Sequence, residues 1–310
     1  MKVARRPRRP MYPYLYLAPG LLAMLLITLG PVVYSIYIAF TNMSTQHLLN
    51  YEWVGLRNFE RILVGIDRRN FASVLAWTLE WSALTTCLSF AVGLGLALLL
   101  NDRRVRERNI YRTILIYPWA LPSTLTVMMW GGLLNSSFGP VNQMLQALRL
   151  PAVPWLTHPI WARIACILVQ VWLAYPFVMS VCLGALQSIE PSVYEAAAID
   201  GASAVQGFRF ITLPLLRLAT LPLVIASFAM NFNSFGVIYL LTGGGPITSV
   251  DPNAPGATDL LGTYMYKLAF GGVAKNYGLA AATGILIFFV VGGLTLLNSH
   301  MTGAFAEAEL

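Results

Sequence analysis

Long apolar runs separated by short polar segments dominate the pattern of this chain. A membrane-spanning helix needs about 20 consecutive, mainly apolar residues. Six segments meet that requirement, and they lie at roughly 13–40, 72–100, 113–134, 160–186, 218–241 and 279–298. The pattern therefore predicts an all-α membrane protein with six transmembrane helices.

The first apolar segment contains Pro19 and Pro31, so we expect a tilt or a kink in its helix. It is longer than the apolar part of a signal peptide, and no small-residue cleavage site follows it. We therefore expect this helix to remain in the mature protein.

Basic residues indicate how the helices are oriented. The N-terminus, the 101–112 loop and the 187–217 loop hold 5, 5 and 2 Lys and Arg residues. The three alternate loops hold 4, 1 and 2. Because cytoplasmic loops carry the excess of positive charge, we expect both termini in the cytoplasm. This gives a basic cytoplasmic N-terminus at 1–12, a membrane domain at 13–300 and a cytoplasmic tail at 301–310.

Composition excludes several classes of protein. The chain has 310 residues, of which 57% are hydrophobic and 11% charged, whereas soluble domains carry about 25% charged residues. The net charge of +7 comes from clusters that flank apolar segments, which argues against nucleic-acid binding. Three cysteines lie far apart inside apolar runs, so we read them as helix side chains rather than a disulfide or metal framework.

The segment 187–217 is amphipathic, unlike the apolar runs on either side. Pro191 favours a helix start, Gly201 favours a stop, and Ser203 with Gln206 matches a capping box that begins a second helix. Leu213-Pro214 should end that helix just before the next span. The segment is predicted to be a helix–turn–helix that either lies at the lipid interface or docks on a partner protein.

Candidate polar residues also lie within the spans. Ser227, Asn231 and Ser234 follow helical spacing and should form one polar stripe near mid-membrane. The stripe either contacts a solute or makes hydrogen bonds between helices. Pro176 should leave a backbone carbonyl free near mid-membrane. Glu80 is the one acid within an apolar span, and it is either at the membrane interface or in a cavity.

No motif in the sequence indicates an enzyme. The chain has no phosphate-binding loop, no zinc-binding H-E-x-x-H and no nucleophile elbow, and its three histidines are isolated. An ion-coupled carrier would need several buried acids, of which the spans offer one. If ATP drives this protein, a partner must bind the nucleotide.

The spacing of the segment 195–214 matches the "EAA" motif of ABC importer permeases at every position. The resemblance implies that this loop inserts into a cleft of a cytoplasmic ATPase and transmits its closure to the membrane helices. Leu218 departs from the family, where many members have proline. The residues that the resemblance assigns to ATPase coupling are Glu195, Ala196, Ala197, Asp200, Gly201, Ile211, Leu213 and Pro214.

The likeness extends over residues 14–300, where 117–130, 172–186, 225–246 and 257–270 resemble the first permease subunit (MalF type) of maltose and maltodextrin importers. It implies a MetI-like type I ABC importer permease fold for a maltose, maltodextrin or related sugar such as trehalose. Relative to the enterobacterial form, we expect no large outer domain and no extra leading helices. The positions that the resemblance assigns to the sugar cavity are Ser123, Leu173, Ala174, Phe177, Ser227, Met230, Asn231 and Ser234.

Four of those positions depart from the enterobacterial pattern, since Ala174, Phe177, Met230 and Ser234 replace Gly, Tyr, Phe and Asn. The implied partners are a second permease (MalG type), an ABC ATPase dimer that binds ATP and Mg, and an extracytoplasmic sugar-binding protein received by the outer loops. The implied location is a bacterial or archaeal cell membrane. No cofactor is expected in this chain, and the alternative function is an ion-coupled secondary sugar transporter.

Overall fold

A computed structural model describes residues 12–302 except 103, 248, 250, 252–253 and 272–274, without the side chains of 12, 13 and 297–302. Residues 1–11 and 303–310, and with them most of the predicted basic N-terminus and C-terminal tail, lie outside the described residues. The described chain is helical, and its one β-bridge joins Thr41 to Trp53.

Fourteen α-helices and two π-helical turns are described. The helices are α1 Tyr12–Met24, α2 Gly30–Ala39, α3 Arg57–Leu63, α4 Arg68–Asn101, α5 Arg108–Ala120, α6 Ser123–Leu133, α7 Pro140–Ala147, α8 Pro159–Gln187, α9 Pro191–Ile199, α10 Ala204–Gly207, α11 Leu213–Phe232, α12 Gly236–Leu241, α13 Leu261–Phe270 and α14 Tyr277–Thr302. The π-helical turns are Leu25–Leu29 and Phe208–Thr212.

Five described helical stretches are long and apolar enough to cross a membrane. They are Tyr14–Ala39, Arg68–Asn101, Pro159–Gln187, Ala204–Phe232 and Tyr277–Leu296. The remaining predicted span forms α5 and α6 in series. The arrangement therefore has six crossings, one of which is made of two shorter helices.

The third crossing corrects the prediction of one continuous helix over 113–134. Leu121 adopts an extended conformation with ψ of 144°, and α6 begins directly after Pro122. A proline disfavours helical backbone at the residue before it, which explains the break. Hydropathy alone does not register this interruption because the run stays apolar on both sides.

The range predicted as the fifth span, 218–241, is also interrupted, so the prediction of one helix over it is wrong. Helix α11 ends at Phe232, and α12 begins three residues later at Gly236. The intervening Asn233, Ser234 and Phe235 do not continue the helix. Asn and Ser side chains compete with helical backbone hydrogen bonds, which favours a break in this sequence.

In the first crossing, the π-helical turn Leu25–Leu29 separates α1 from α2 and lies between Pro19 and Pro31. After this crossing, the segment 51–63 forms a helix only over Arg57–Leu63. Its Asn58 side chain donates hydrogen bonds of 2.8 Å to the carbonyls of Ala39 and Thr41, which fixes α3 against the end of α2.

Helices α4 and α8 form the centre of the bundle. Gly93 of α4 permits their close approach, because a Cβ there would lie 2.8 Å from Val178 of α8. Along the same face of α4, Thr78 and Ser82 are buried, and each donates to the carbonyl four residues earlier. These local bonds satisfy hydroxyls that would otherwise be unpaired inside the bundle.

The loop at 242–260, between α12 and α13, is held by interactions near its base. Asp259 is buried and accepts a hydrogen bond of 2.6 Å from Lys267 and one of 2.7 Å from the backbone of Gly256. Burial raises the pKa of the Asp259 carboxyl, and the Lys267 charge opposes that shift. Gly244, at φ +81°, has no room for a Cβ beside this carboxylate.

The same loop is bonded to the central helices. Trp77 of α4 donates its indole N–H to the Thr258 carbonyl at 3.3 Å. Arg163 of α8 donates to the Ala257 carbonyl at 2.8 Å, with its guanidinium 4.2 Å from the centre of the Trp77 ring. The 242–260 loop is therefore held against the ends of α4 and α8.

Candidate functional site

A cavity of about 190 Å³ lies within the helix bundle, between α4, α5, α8 and α11. Its lining combines hydroxyl, amide, aromatic and aliphatic side chains, and none of these residues carries a charge. The lining residues are Thr86, Ser89, Phe90, Trp119, Gln170, Ala174, Phe177, Val178, Leu223, Val224, Ser227, Met230 and Asn231. Such a lining suits a neutral molecule that presents both hydroxyl groups and apolar faces.

The Asn231 amide forms the polar centre of this cavity. Its Oδ1 accepts a hydrogen bond of 2.9 Å from Gln170, and its Nδ2 donates one of 3.0 Å to the Thr86 hydroxyl. The backbone carbonyl of Asn231 accepts from the Trp81 indole at 3.2 Å. Asn231 therefore connects α11 with α4 and α8, and its side chain is satisfied within the protein.

Ser89 lies in the same cavity without a hydrogen-bond partner. The residue is 3% exposed, and its Oγ has no acceptor or donor within reach. Elsewhere on α4, Thr78, Ser82 and Thr85 donate to the carbonyls four residues earlier. An unpaired buried hydroxyl costs about 1–3 kcal/mol, so Ser89 is a polar group that a bound solute would satisfy.

Aromatic rings also line the cavity. Trp119 of α5 and Phe177 of α8 have ring centres 6.0 Å apart, with their planes inclined by 33°. Trp119 is 60% exposed and Phe177 43%. Flat apolar faces of this kind pack well against the C–H faces of ring-shaped solutes.

The structure brings five of the eight predicted cavity residues together. Ala174, Phe177, Ser227, Met230 and Asn231 line the cavity. The other three, Ser123, Leu173 and Ser234, lie outside the cavity lining.

Ser123 is exposed at the first position of α6, and Leu173 packs in the core between α4, α6 and α8. Ser234 does not belong to a helical stripe with Ser227 and Asn231, which corrects that prediction. It lies in the break after α11, where its backbone N–H donates to the Asn231 carbonyl at 3.1 Å.

Sequence reasoning missed Thr86, Ser89 and Gln170, which supply much of the polar lining. One signal was available, because Gln170 is the sole amide within the apolar run of α8. Glu80, by contrast, is exposed on α4, does not line this cavity and lies near enough to Arg163 to interact electrostatically. Helix α8 also continues through Pro176 without a break.

The 187–217 loop forms the predicted helix–turn–helix. Pro191 lies in the first turn of α9, and Gly201 ends that helix with φ +82°. The capping box of α10 is present, since Ser203 N–H donates to Gln206 Oε1 at 2.7 Å and Gln206 N–H donates to Ser203 Oγ at 3.3 Å. These local features confirm the predicted turn.

The predicted end of the second helix at Leu213-Pro214 is wrong. The helical chain continues from α10 through the π-helical turn Phe208–Thr212 into α11, where Pro214 lies in the first turn. Proline is tolerated inside a membrane helix where a local π-helical adjustment re-satisfies the freed backbone groups, and the turn Phe208–Thr212 directly precedes Leu213-Pro214. Helix α10 is therefore continuous with α11.

The predicted coupling residues lie mostly on an exposed surface. Ile199, Val205 and Phe210 leave 85%, 74% and 69% of their surface exposed, which is unusual for apolar residues next to a packed bundle. Exposed members of the predicted set are Glu195, Ala196, Asp200, Gly201, Leu213 and Pro214, while Ala197 and Ile211 are half-buried. An exposed apolar surface of this kind fits either a protein-docking site or a lipid interface.

Six crossings, a central uncharged cavity and an exposed helix–turn–helix define a membrane transport subunit. Residues 89–301 match the family described as "Binding-protein-dependent transport system inner membrane component". The chain belongs to this family of permeases. That membership confirms the prediction of a permease subunit rather than an enzyme.

Curated relatives support the same conclusion over almost the whole chain. The galactooligosaccharides transport system permease protein GanP of Bacillus subtilis is 39% identical over 301 residues, which cover 96% of this chain and 71% of GanP. The maltodextrin permease MdxF of the same organism is 37% identical with equal coverage. MalF of Salmonella typhimurium is 44% identical over 252 residues, although the aligned part spans only 49% of that longer protein.

Solved structures confirm the fold. A bacterial ABC transporter for import of the acidic polysaccharide alginate has a TM-score of 0.74 and 26% identity, with 94% of this chain and 95% of that chain covered. The same transporter in complex with an alginate pentasaccharide-bound periplasmic protein gives a TM-score of 0.72, with 94% and 93% covered. The predicted all-α, MetI-like ABC importer permease fold is therefore confirmed.

Proposed function

We propose that this chain is the MalF-type permease subunit of an ABC importer for a neutral oligosaccharide of the maltodextrin or galactooligosaccharide class. The observation that carries the proposal is the uncharged cavity, whose lining combines hydroxyl and amide groups with aromatic rings. Relatives at 37–39% identity are named for neutral oligosaccharides of these two kinds. An acidic solute such as alginate would call for cationic side chains, and the lining has none.

A sugar that crosses a bilayer must exchange water for other hydrogen-bond partners, because an unsatisfied hydroxyl costs about 2–7 kcal/mol. Asn231 and Gln170 each carry an amide with two donors and an acceptor. In this structure the two amides bond to each other, so a sugar would have to replace that bond. Such an exchange keeps binding weak, which suits a site that must release its solute.

The proposed partners follow from the family and from two parts of the chain, the 187–217 loop and the outer segments 242–260 and α3. In this proposal a cytoplasmic ATPase dimer, which binds ATP and Mg, docks on the 187–217 loop around Glu195. A second, MalG-type permease completes the translocation path. A loaded extracytoplasmic binding protein docks on the 242–260 loop and α3. Both termini then lie in the cytoplasm of a bacterial or archaeal cell, as the distribution of basic residues favours.

Reconstitution tests the proposal. The chain would be assembled in proteoliposomes with its second permease, ATPase and binding protein, and uptake of maltotriose, galactotriose, trehalose and an alginate trisaccharide would be measured. We expect ATP-dependent uptake of at least one neutral sugar and none of the alginate fragment. Preferential uptake of the acidic sugar would contradict the substrate class. Uptake driven by an ion gradient without ATP would instead support the secondary transporter.

A further inference from the structure

Helix α9 has little contact with the rest of the bundle. None of its residues is buried, and the turn that follows contains Gly201 in a left-handed conformation. In the part of the chain that the structure describes, one side-chain hydrogen bond joins α9 to the chain ahead of α11. It connects the Tyr194 and Thr212 hydroxyls at 2.9 Å.

The Thr212 hydroxyl also makes a second contact, because it can donate to the Gly207 carbonyl at 3.4 Å. Thr212 is 5% exposed and ends the π-helical turn Phe208–Thr212. The two contacts thus connect α9, the end of α10 and the π-helical turn in one hydrogen-bond network.

Helix α11 carries this connection into the membrane. Its 20 residues extend about 30 Å at about 1.5 Å per residue. Leu216 and Thr220 are buried near its start, while Ser227 and Asn231 lie in the cavity near its end. A displacement at Thr212 therefore acts on the helix that carries the polar centre of the cavity.

Covalent continuity alone does not fix α9 relative to α11. Between them lie the Gly201 turn, the four-residue α10 and the π-helical turn, and each is a place where backbone angles can change. A side-chain bond across this stretch makes α9 and the start of α11 move together.

We propose that the Tyr194–Thr212 hydroxyl pair is the mechanical link that transmits displacement of α9 to α11. The inference rests on the proposed function, in which an ATPase docks on the 187–217 loop. Tyr194 and Thr212 are positioning residues, since neither contacts the cavity. Their hydroxyls set how much of the ATPase movement reaches the solute.

The test compares Tyr194→Phe, Thr212→Val and the double variant in the reconstituted transporter. Each single change removes one hydroxyl and keeps the shape of the side chain. The readout is the number of maltotriose or galactotriose molecules taken up per ATP hydrolysed, with thermal stability of the purified complex measured in parallel. Tyr111→Phe, on exposed α5, is the matched control.

We expect each single variant to lower the uptake-to-ATP ratio about fivefold, which corresponds to about 1 kcal/mol at 1.4 kcal/mol per tenfold. The double variant should behave like Thr212→Val, because both lose the bond to Tyr194 together with the Thr212 contact to Gly207. ATPase activity stimulated by the loaded binding protein should persist.

Three results would overturn the link. One is an unchanged ratio in both single variants, and another is a loss of thermal stability with the ratio unchanged. The third is additive losses in the double variant, which would mean that the hydroxyls act separately. A wild-type complex that binds no ATPase would instead overturn the proposed function, so the two failures are distinguishable.

Discussion

The two ends of α11 differ in how their functional groups are satisfied. At the cavity end, Asn231 is buried and bonded to residues of two other helices. At the other end, the 187–217 loop exposes acidic and apolar side chains, and α9 is held through one hydroxyl pair. The polar groups around Asn231 are therefore satisfied by bonds within the chain, whereas the side chains of the loop surface make few bonds to other described residues. Mutations at the two ends should differ in whether they also reduce stability.

Glu195→Ala should give the largest functional loss with the smallest loss of stability. Glu195 is exposed, the described residues offer it no ion pair, and the proposed function assigns its partner to the ATPase. Removing one member of an interfacial charge pair costs about 2–5 kcal/mol, so ATP-driven uptake should fall at least tenfold. Uptake and thermal stability of the assembled complex are the measurements.

Glu107→Ala is the control for that variant, because Glu107 is also an exposed acid and its side chain makes no capping bond. It should leave uptake unchanged. Normal uptake and ATPase stimulation in the Glu195→Ala complex would contradict the proposal that Glu195 pairs with the ATPase.

Asn231→Ala should reduce both uptake and stability. The change leaves the Gln170 amide and the Thr86 hydroxyl without their partner, at a cost of about 1–3 kcal/mol. We expect uptake per assembled complex to fall about tenfold, together with a lower melting temperature. Asn233→Ala, at an exposed amide just past α11, is the control. A lower melting temperature with full uptake per complex would assign Asn231 to packing alone.

Ser89→Ala should raise thermal stability and lower uptake, so its effects on stability and on function have opposite signs. Removing a hydroxyl that has no partner should raise thermal stability, by up to about 1–3 kcal/mol. Uptake should fall about threefold if the hydroxyl meets the sugar, since one neutral hydrogen bond contributes about 0.5–1.5 kcal/mol. Destabilisation by this variant would show that Ser89 has a structural partner after all.

Gly201→Ala should give the smallest effect. A side chain at φ +82° costs about 1–2 kcal/mol, but the turn is exposed and contributes little to the packed bundle. We expect hydrogen exchange of the amides in 195–203 to accelerate about fivefold to thirtyfold, while exchange in α4 stays constant. Ala202→Gly provides the reciprocal control. Faster exchange in α4 would mean that the loop and the bundle unfold together.

The loop was predictable from sequence because its structure follows from local rules. Pro191, Gly201 and the Ser203–Gln206 box each act over a few residues, and all three form as expected. The continuation of the helix through Pro214 was not predicted, because a proline that ends one helix and a proline in the first turn of another look alike in sequence.

The cavity was only partly predictable because it depends on packing between distant segments. Ser227 and Asn231 share a helix face, which spacing reveals, but their partners Thr86 and Gln170 come from other helices. The break at Pro122 interrupts an apolar run without changing its hydropathy, and the break after Phe232 comes at Asn233 and Ser234 within a run that is apolar on both sides. Ser234 was misplaced for that reason, since its predicted position assumed an unbroken helix.

The hydrogen bonds that hold the 242–260 loop affect how a partner protein would bind to it. A mobile loop loses conformational entropy when a partner orders it, at about 1–2 kcal/mol for each residue whose backbone becomes fixed. Here Asp259 and the Trp77 and Arg163 bonds hold parts of the loop in place beforehand. A protein that docks there therefore avoids much of that loss, and its residence time depends chiefly on the contacts it makes.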